Sequence, residues 1–201
     1  MEERLIRVGI THGDINGIGY EVILKTFSDI RIADLCTPII YGSSKIAAYH
    51  RKVLEMQPVN ISVINQAEDA GVNRINIINC ADEESKVELG KSTEIAGEAA
   101  FKALEAACND LKRGVIDVLV TAPINKHNIQ NDQFHFPGHT EYLEEVFGVS
   151  GKKALMILMS NNLRVALVTG HLPLSEVVQN ITKEDIKSKL SVFNQSLKQD
   201  F

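Results

Sequence analysis

Apolar and polar positions alternate with a period that changes repeatedly along the chain, and each change marks an element. Residues 5–10 (Leu-Ile-Arg-Val-Gly-Ile) form a short β-branched run that predicts a strand. Gly13, Asn16, Gly17 and Gly19 interrupt it before residues 20–27 resume with helical character, so a glycine-rich turn joins strand to helix. The unit repeats: an apolar run at 38–41 ends at Gly42-Ser43-Ser44 and a helix-compatible stretch follows over 45–56. Two further strands are predicted at 60–64 and 75–80, separated by a polar segment at 65–73. Over 93–112, Ala96, Ala100, Leu104, Ala107 and Leu111 fall three or four apart and mark one face of a long alanine-rich helix. Residues 115–120 (Val-Ile-Asp-Val-Leu-Val) then read as a buried strand of a sheet covered on both faces. Strands at 155–159 and 165–168 flank Asn161-Asn162, a pair that tolerates positive φ and predicts an antiparallel hairpin. Thr182 and Asp185 resemble a capping box that opens a last helix through Ile186, Leu190, Phe193 and Leu197.

Repeated strand–helix units predict an α/β protein on a mostly parallel sheet flanked by helices. No internal repeat, low-complexity segment or long featureless linker marks a lobe boundary within residues 1–201.

Composition narrows the function classes. The 201 residues are 44% hydrophobic and 23% charged, which suits a packed globular chain rather than a disordered one. A net charge of −5 without a block of one sign argues against nucleic acid or an anionic membrane as partner. The longest purely apolar stretch, residues 154–159, is far short of the roughly 18 that span a bilayer. The first residues, Met-Glu-Glu-Arg, lack the basic and apolar regions of a signal peptide, so a cytoplasmic location is expected. Cys36, Cys80 and Cys108 are widely spaced and odd in number, which predicts reduced, buried thiols rather than disulfides or a zinc clip.

Three segments carry candidate chemistry. The turn with Asp14, Gly17 and Gly19 lies between strand and helix, where backbone N–H groups favour an anion; a plain turn capped by Asp14 fits equally. Its spacing is neither the dinucleotide fingerprint nor the P-loop. The densest polar region runs from Thr121 to Glu141, following a strand end where open α/β sheets bind ligands. Lys126 offers a point charge for phosphate or carboxylate, and His139 with Thr140 offers polar groups at a helix start; a solvated loop is the alternative. His135 and His139 have the spacing of zinc ligands on a helix, but Pro137-Gly138 between them argue against that helix. His171 follows another strand and is either a metal ligand or a hydrogen-bonded structural residue.

Taken together, Ile10-Thr11-His12-Gly13-Asp14-Ile15-Asn16-Gly17-Ile18-Gly19-Tyr20-Glu21, Thr121-Ala122-Pro123-Ile124-Asn125-Lys126, Gly138-His139-Thr140-Glu141 and His171-Leu172-Pro173-Leu174 resemble the 4-hydroxythreonine-4-phosphate dehydrogenase family of pyridoxal phosphate biosynthesis. The resemblance implies a two-lobed α/β fold similar to isocitrate and isopropylmalate dehydrogenases. It implies NAD- or NADP-dependent oxidation of a phosphorylated hydroxyamino acid, decarboxylation of the β-keto acid, help from a divalent metal (Zn, Mg or Co) and a homodimer. It assigns substrate binding to His139 and Thr140 and metal ligation to His171; Lys126, Asp14, Gly17 and Gly19 are our own anion-binding candidates, and no cofactor residue is assigned. Ile15-Asn16 and Tyr20 stand where the family has Pro-Ala and Pro, and Gly170 where Thr is common. Family members are considerably longer, so residues 1–201 are expected to be the N-terminal and central part of such an enzyme, inactive alone. A related phosphosugar-acid dehydrogenase (4-phospho-erythronate or threonate phosphate) and a non-catalytic ligand-binding or dimerisation fragment are the competing expectations.

Overall fold

The computed structural model describes residues 4–80, 85–148 and 154–199. The opening residues 1–3, read above for a signal peptide, lie outside them. The chain divides into two compact units, residues 1–142 and 143–201.

The first unit is built on a five-stranded sheet in the order β3-β4-β2-β1-β5. Its strands are β1 (Arg7–Thr11), β2 (Thr37–Gly42), β3 (Ile61–Ile64), β4 (Ile75–Asn79) and β5 (Val118–Thr121), and every neighbouring pair is parallel. Alternation along β2 divides the core, because successive side chains leave a strand on opposite faces. Ile40 joins Tyr20, Ile23 and Phe27 of α1 (Gly19–Thr26) and its C-cap, and Ile46 and Ala47 of α2 (Ser44–Val53). Ile39 and Tyr41 pack against Ala103 and Ala107 of α3 (Glu94–Lys112) on the other side. Fully burying one such aliphatic or aromatic side chain stabilises the fold by about 1.5–3 kcal/mol, so the core of Ile, Tyr and Ala residues drives this layering.

The helix over 93–112 forms as expected: Thr93 caps it by accepting from the Ala96 N–H at 3.3 Å, and Ala96, Ala100, Leu104 and Ala107 are all buried. Its buried face also takes in Gly97, Phe101 and Cys108. The strand expected over 115–120 differs. Only Ile116 of that run is buried; the ladder starts at Val118 and occupies the end of the sheet order, where Val118 and Val120 stay exposed. A continuous apolar run does not distinguish an edge strand from a central one, since the sheet order decides how many faces are covered. All three cysteines are free, with Cys108 buried and Cys36 and Cys80 half-buried rather than fully enclosed.

Helix α4 (His139–Phe147) crosses the division between the units. The second unit holds an antiparallel hairpin of β6 (Ile157–Ser160) and β7 (Leu163–Ala166), turning at Asn161-Asn162 with Asn161 at φ 43°. It continues through the single turn α5 (Leu174–Val177) to α6 (Lys183–Gln199). Thr182 caps the helix, its Oγ1 accepting from the Asp185 N–H at 3.1 Å and donating to Asp185 Oδ2 at 2.5 Å, so the two side chains meet each other rather than closing the full box. None of the described residues of this unit is buried. No helix among the described residues is long and apolar enough to cross a membrane.

Candidate active site

Two of the three sequence segments meet at the carboxyl ends of β1 and β5. These strands are neighbours, with Thr11 paired to Thr121, and beyond them the chain leaves in two loops. The Asp14 N–H donates to the Pro123 carbonyl at 2.9 Å, tying the first turn to the second loop. Gly13 makes this approach possible: it sits at φ 71°, and a β-carbon there would overlap the Pro123 carbonyl oxygen. Adjacent strands whose connections diverge are where open α/β sheets form ligand crevices.

The first turn is closed on itself. Asp14 Oδ1 accepts the Asn16 N–H at 2.9 Å and its carbonyl accepts the Gly17 N–H at 3.0 Å. Asp14 is buried, and desolvation raises its carboxyl above the usual carboxylate range. The amides of residues 14, 16 and 17 are therefore engaged. The turn around Asp14 and Gly17 is thus capped by its own side chain and backbone.

Asn16, one of the departures noted in the sequence, is the turn's anchor. Its Nδ2 donates to the Lys91 carbonyl at 2.9 Å and to Thr93 Oγ1 at 3.0 Å, and its Oδ1 accepts the Glu88 N–H at 2.7 Å. A side chain with both donors and an acceptor can pin the segment before α3 in this way; alanine cannot. Tyr20 has an equally specific place. It is fully buried, stacked on His12 (centroids 5.2 Å apart, 9° between planes) and on His50 (5.3 Å, 28°). Its hydroxyl accepts the Ser43 N–H at 2.7 Å and donates to the Ser43 carbonyl at 3.2 Å. The His50 Nε2–H donates to the Ile15 carbonyl at 2.8 Å, which sets its tautomer because a carbonyl only accepts. His12 is completely buried, and burial lowers its imidazole from 6.5 to about 4. The backbone of Gly13 and Ala99 opposes that shift, yet neither ring nitrogen completes a hydrogen bond. Sequence reading passed over this stack; its signal was an imidazole and a tyrosine eight residues apart across a glycine-rich turn.

The second loop is ordered by apolar anchors within a polar sequence. Ile129 and Phe134 are fully buried, and Phe134 packs with Phe101, Phe136 and Tyr142 at centroid distances of 5.3–5.9 Å. Asn125 Oδ1 accepts the His127 N–H at 2.9 Å, and Gln130 Nε2 donates to the carbonyls of Lys126 (3.1 Å) and Phe136 (2.9 Å). The loop rests on α3 at Gly97, where a β-carbon would overlap the Asn128 carbonyl.

This scaffold brings Lys126 and His139 together. A β-carbon at Gly138 would lie 3.4 Å from Lys126 Cε, 3.6 Å from its Nζ and 3.6 Å from Glu141 Oε2. His139 opens α4, and its Nε2 is buried without a hydrogen-bond partner. Burial, and then the charge of Lys126, hold its imidazole below the ordinary histidine range. Thr140 and Lys126 are exposed. His171 lies in the second unit, exposed, just before α5. Among the described residues no group of three or more His, Cys, Asp or Glu side chains is placed to hold a metal, so His171 has no ready-made coordination shell. A divalent ion requires several such donors.

Comparison with known proteins gives this geometry a context. A family model described as pyridoxal phosphate biosynthetic protein PdxA matches residues 34–201. A 4-hydroxythreonine-4-phosphate dehydrogenase of Bacteroides thetaiotaomicron is 60% identical over all 201 residues, which is 55% of that protein. A candidate D-threonate 4-phosphate dehydrogenase of Oceanobacillus iheyensis is 30% identical over 94% of the chain and 57% of its own length. A crystal structure of a 4-hydroxythreonine-4-phosphate dehydrogenase from Burkholderia phymatum superposes with a TM-score of 0.85 at 28% identity, over 97% of this chain and 59% of that one. The chain thus spans somewhat more than half the length of the proteins it matches. The family model begins after the first turn, so the Asn16 and Tyr20 departures lie outside the matched region.

Proposed function

Since the chain belongs to the family of the pyridoxal phosphate biosynthetic protein PdxA, we propose that it supplies the N-terminal and central part of a 4-hydroxythreonine-4-phosphate dehydrogenase. The reaction is oxidation of the C3 hydroxyl of 4-phosphohydroxy-L-threonine, with hydride passing to NAD or NADP, followed by loss of CO₂ to give 3-amino-2-oxopropyl phosphate. The observation that carries the reading is the placement of Lys126 beside His139 at the start of α4, on the loop beyond the carboxyl end of β5.

The side chains divide the work. His139 Nε2, buried and unpartnered, orients a substrate hydroxyl. Thr140, exposed beside it, supplies a second polar contact. The Lys126 ammonium takes an anionic substrate group as a point charge. His171 is proposed as one donor to a divalent ion (Zn, Mg or Co), whose chemistry would be to stabilise oxyanion character at the reacting carbon. The remaining donors fall outside the described residues, consistent with the coverage of the longer relatives. The enzyme is proposed to work as a cytoplasmic homodimer.

Two variants made in a protein of the relatives' full length test the roles. His139→Ala keeps metal content and fold but loses about 2–4 kcal/mol of transition-state stabilisation, roughly 30- to 1000-fold in kcat/KM. His171→Ala lowers metal content by elemental analysis and loses activity that excess metal restores only partly. Normal metal content in the second, or normal kcat/KM in the first, overturns that assignment. A second reading, a dehydrogenase of a phosphorylated sugar acid, is favoured by the Oceanobacillus relative. Turnover of D-threonate 4-phosphate in preference to 4-phosphohydroxy-L-threonine would select it.

A further inference from the structure

Lys126, on the loop after β5, comes to the start of α4, whose first residue is His139. Between them lies Gly138, which has no side chain to separate the Lys126 ammonium from the helix start. Glu141, on the same helix as His139, lies across Gly138 from the ammonium. The helix start that carries His139 therefore has a cation on its loop side and the Glu141 carboxylate two residues on, and the buried Nε2 of His139 lacks a partner. We propose that Lys126 and His139 act as a coupled pair: an oxyanion of the substrate that docks on the Lys126 ammonium enables His139 to bind a proton, so anion and proton are taken up together.

The inference rests on the substrate-site reading above and adds a linkage to it. Charging His139 is opposed by burial and by like-charge repulsion from the Lys126 ammonium, which agrees with the downward displacement of its proton affinity. An oxyanion on Lys126 replaces that repulsion with attraction. Linkage makes the effect reciprocal: whatever the anion does for proton binding, the proton does for anion binding. The pair thus favours anionic substrates most where His139 is protonated, and Lys126 selects for the anion while setting the charge of its neighbour. Phosphate and carboxylate share this chemistry, and the test separates them.

In the chain with ¹³C-labelled histidine, the His139 Cε1–H resonance, identified by its loss in His139→Gln, is followed against pH. Sulfate serves as a phosphate-like probe of fixed charge and acetate as a carboxylate probe, both against chloride at matched ionic strength. The His139 midpoint is expected to rise with sulfate if the seat takes phosphate, or with acetate if it takes carboxylate. Lys126→Met should raise the midpoint without any anion, weaken binding of the active probe about fivefold and abolish the response, and Lys126→Arg should restore it. A midpoint that neither anion moves, or that Lys126→Met leaves unchanged, overturns the coupling. Because the readout is a titration, loss of the dehydrogenase reading in the full-length protein would leave this result standing, and the reverse also holds.

Discussion

The buried imidazole of His12 makes stability depend on pH in a direction that can be worked out. Unfolded, the ring titrates near the ordinary histidine value of 6.5; folded, burial brings it to about 4. Between those values the unfolded chain binds the extra proton, so the contribution of His12 is fully present above pH 6.5 and is lost as pH falls towards 4. A difference of this size corresponds to about 3 kcal/mol. Urea unfolding should accordingly show stability falling from pH 7.5 to pH 4.5, with a shallower fall in His12→Gln; equal slopes in the two proteins would refute the assignment. The lowered proton affinity of His50 acts in the same direction and the raised one of Asp14 in the opposite direction, which is why the comparison of slopes isolates His12. The sequence held the spacing of His12 and Tyr20 but not the burial, because a histidine after a strand carries no record of whether its ring faces water or a tyrosine.

Helix α3 shows where local preference and packing part. By propensity, replacing a glycine inside a helix with alanine stabilises it by about 1 kcal/mol. At Gly97 the methyl would overlap the Asn128 carbonyl, so Gly97→Ala is expected instead to destabilise by about 2–4 kcal/mol and to loosen the loop that carries Lys126. Thermal unfolding with amide exchange at residues 125–130 checks both parts; a stabilised variant with unchanged exchange would show that the loop does not rest on α3. The periodicity of the helix, the Asn161-Asn162 hairpin and the Thr182 cap were all readable beforehand, since each is set by residues close in sequence. The edge position of β5 was not, because it is a property of the order of strands.

Among its described residues the second unit gathers exposed apolar side chains, and none is buried. Leu158, Met159, Leu163 and Val165 of the hairpin, together with Leu174, Val178 and Leu190, are 42–88% exposed. Contiguous apolar patches of more than a few hundred Å² favour association. The chain is expected to self-associate with rising concentration and to bind a hydrophobic-surface dye; sedimentation showing a clean monomer without dye binding would contradict this. Alone, it is also expected to show little dehydrogenase activity, given that His171 has no set of co-donors among the described residues. Robust metal-dependent NAD(P)H formation from 4-phosphohydroxy-L-threonine by these 201 residues would overturn that expectation.

Pattern alone determined the α/β class, the parallel sheet and the long helix, because hydrophobic period, caps and turn residues act over a few neighbouring positions. It also carried the family resemblance through four ordered motifs. Only the tertiary structure decided that the Asp14 turn is closed, that Asn16 anchors it, that His12 and His50 enclose Tyr20, and that Lys126 stands beside His139. Those facts depend on which strands become neighbours and which glycines let loops touch. Such contacts join residues far apart in the chain, and their energies arise from burial and close approach that no local pattern encodes.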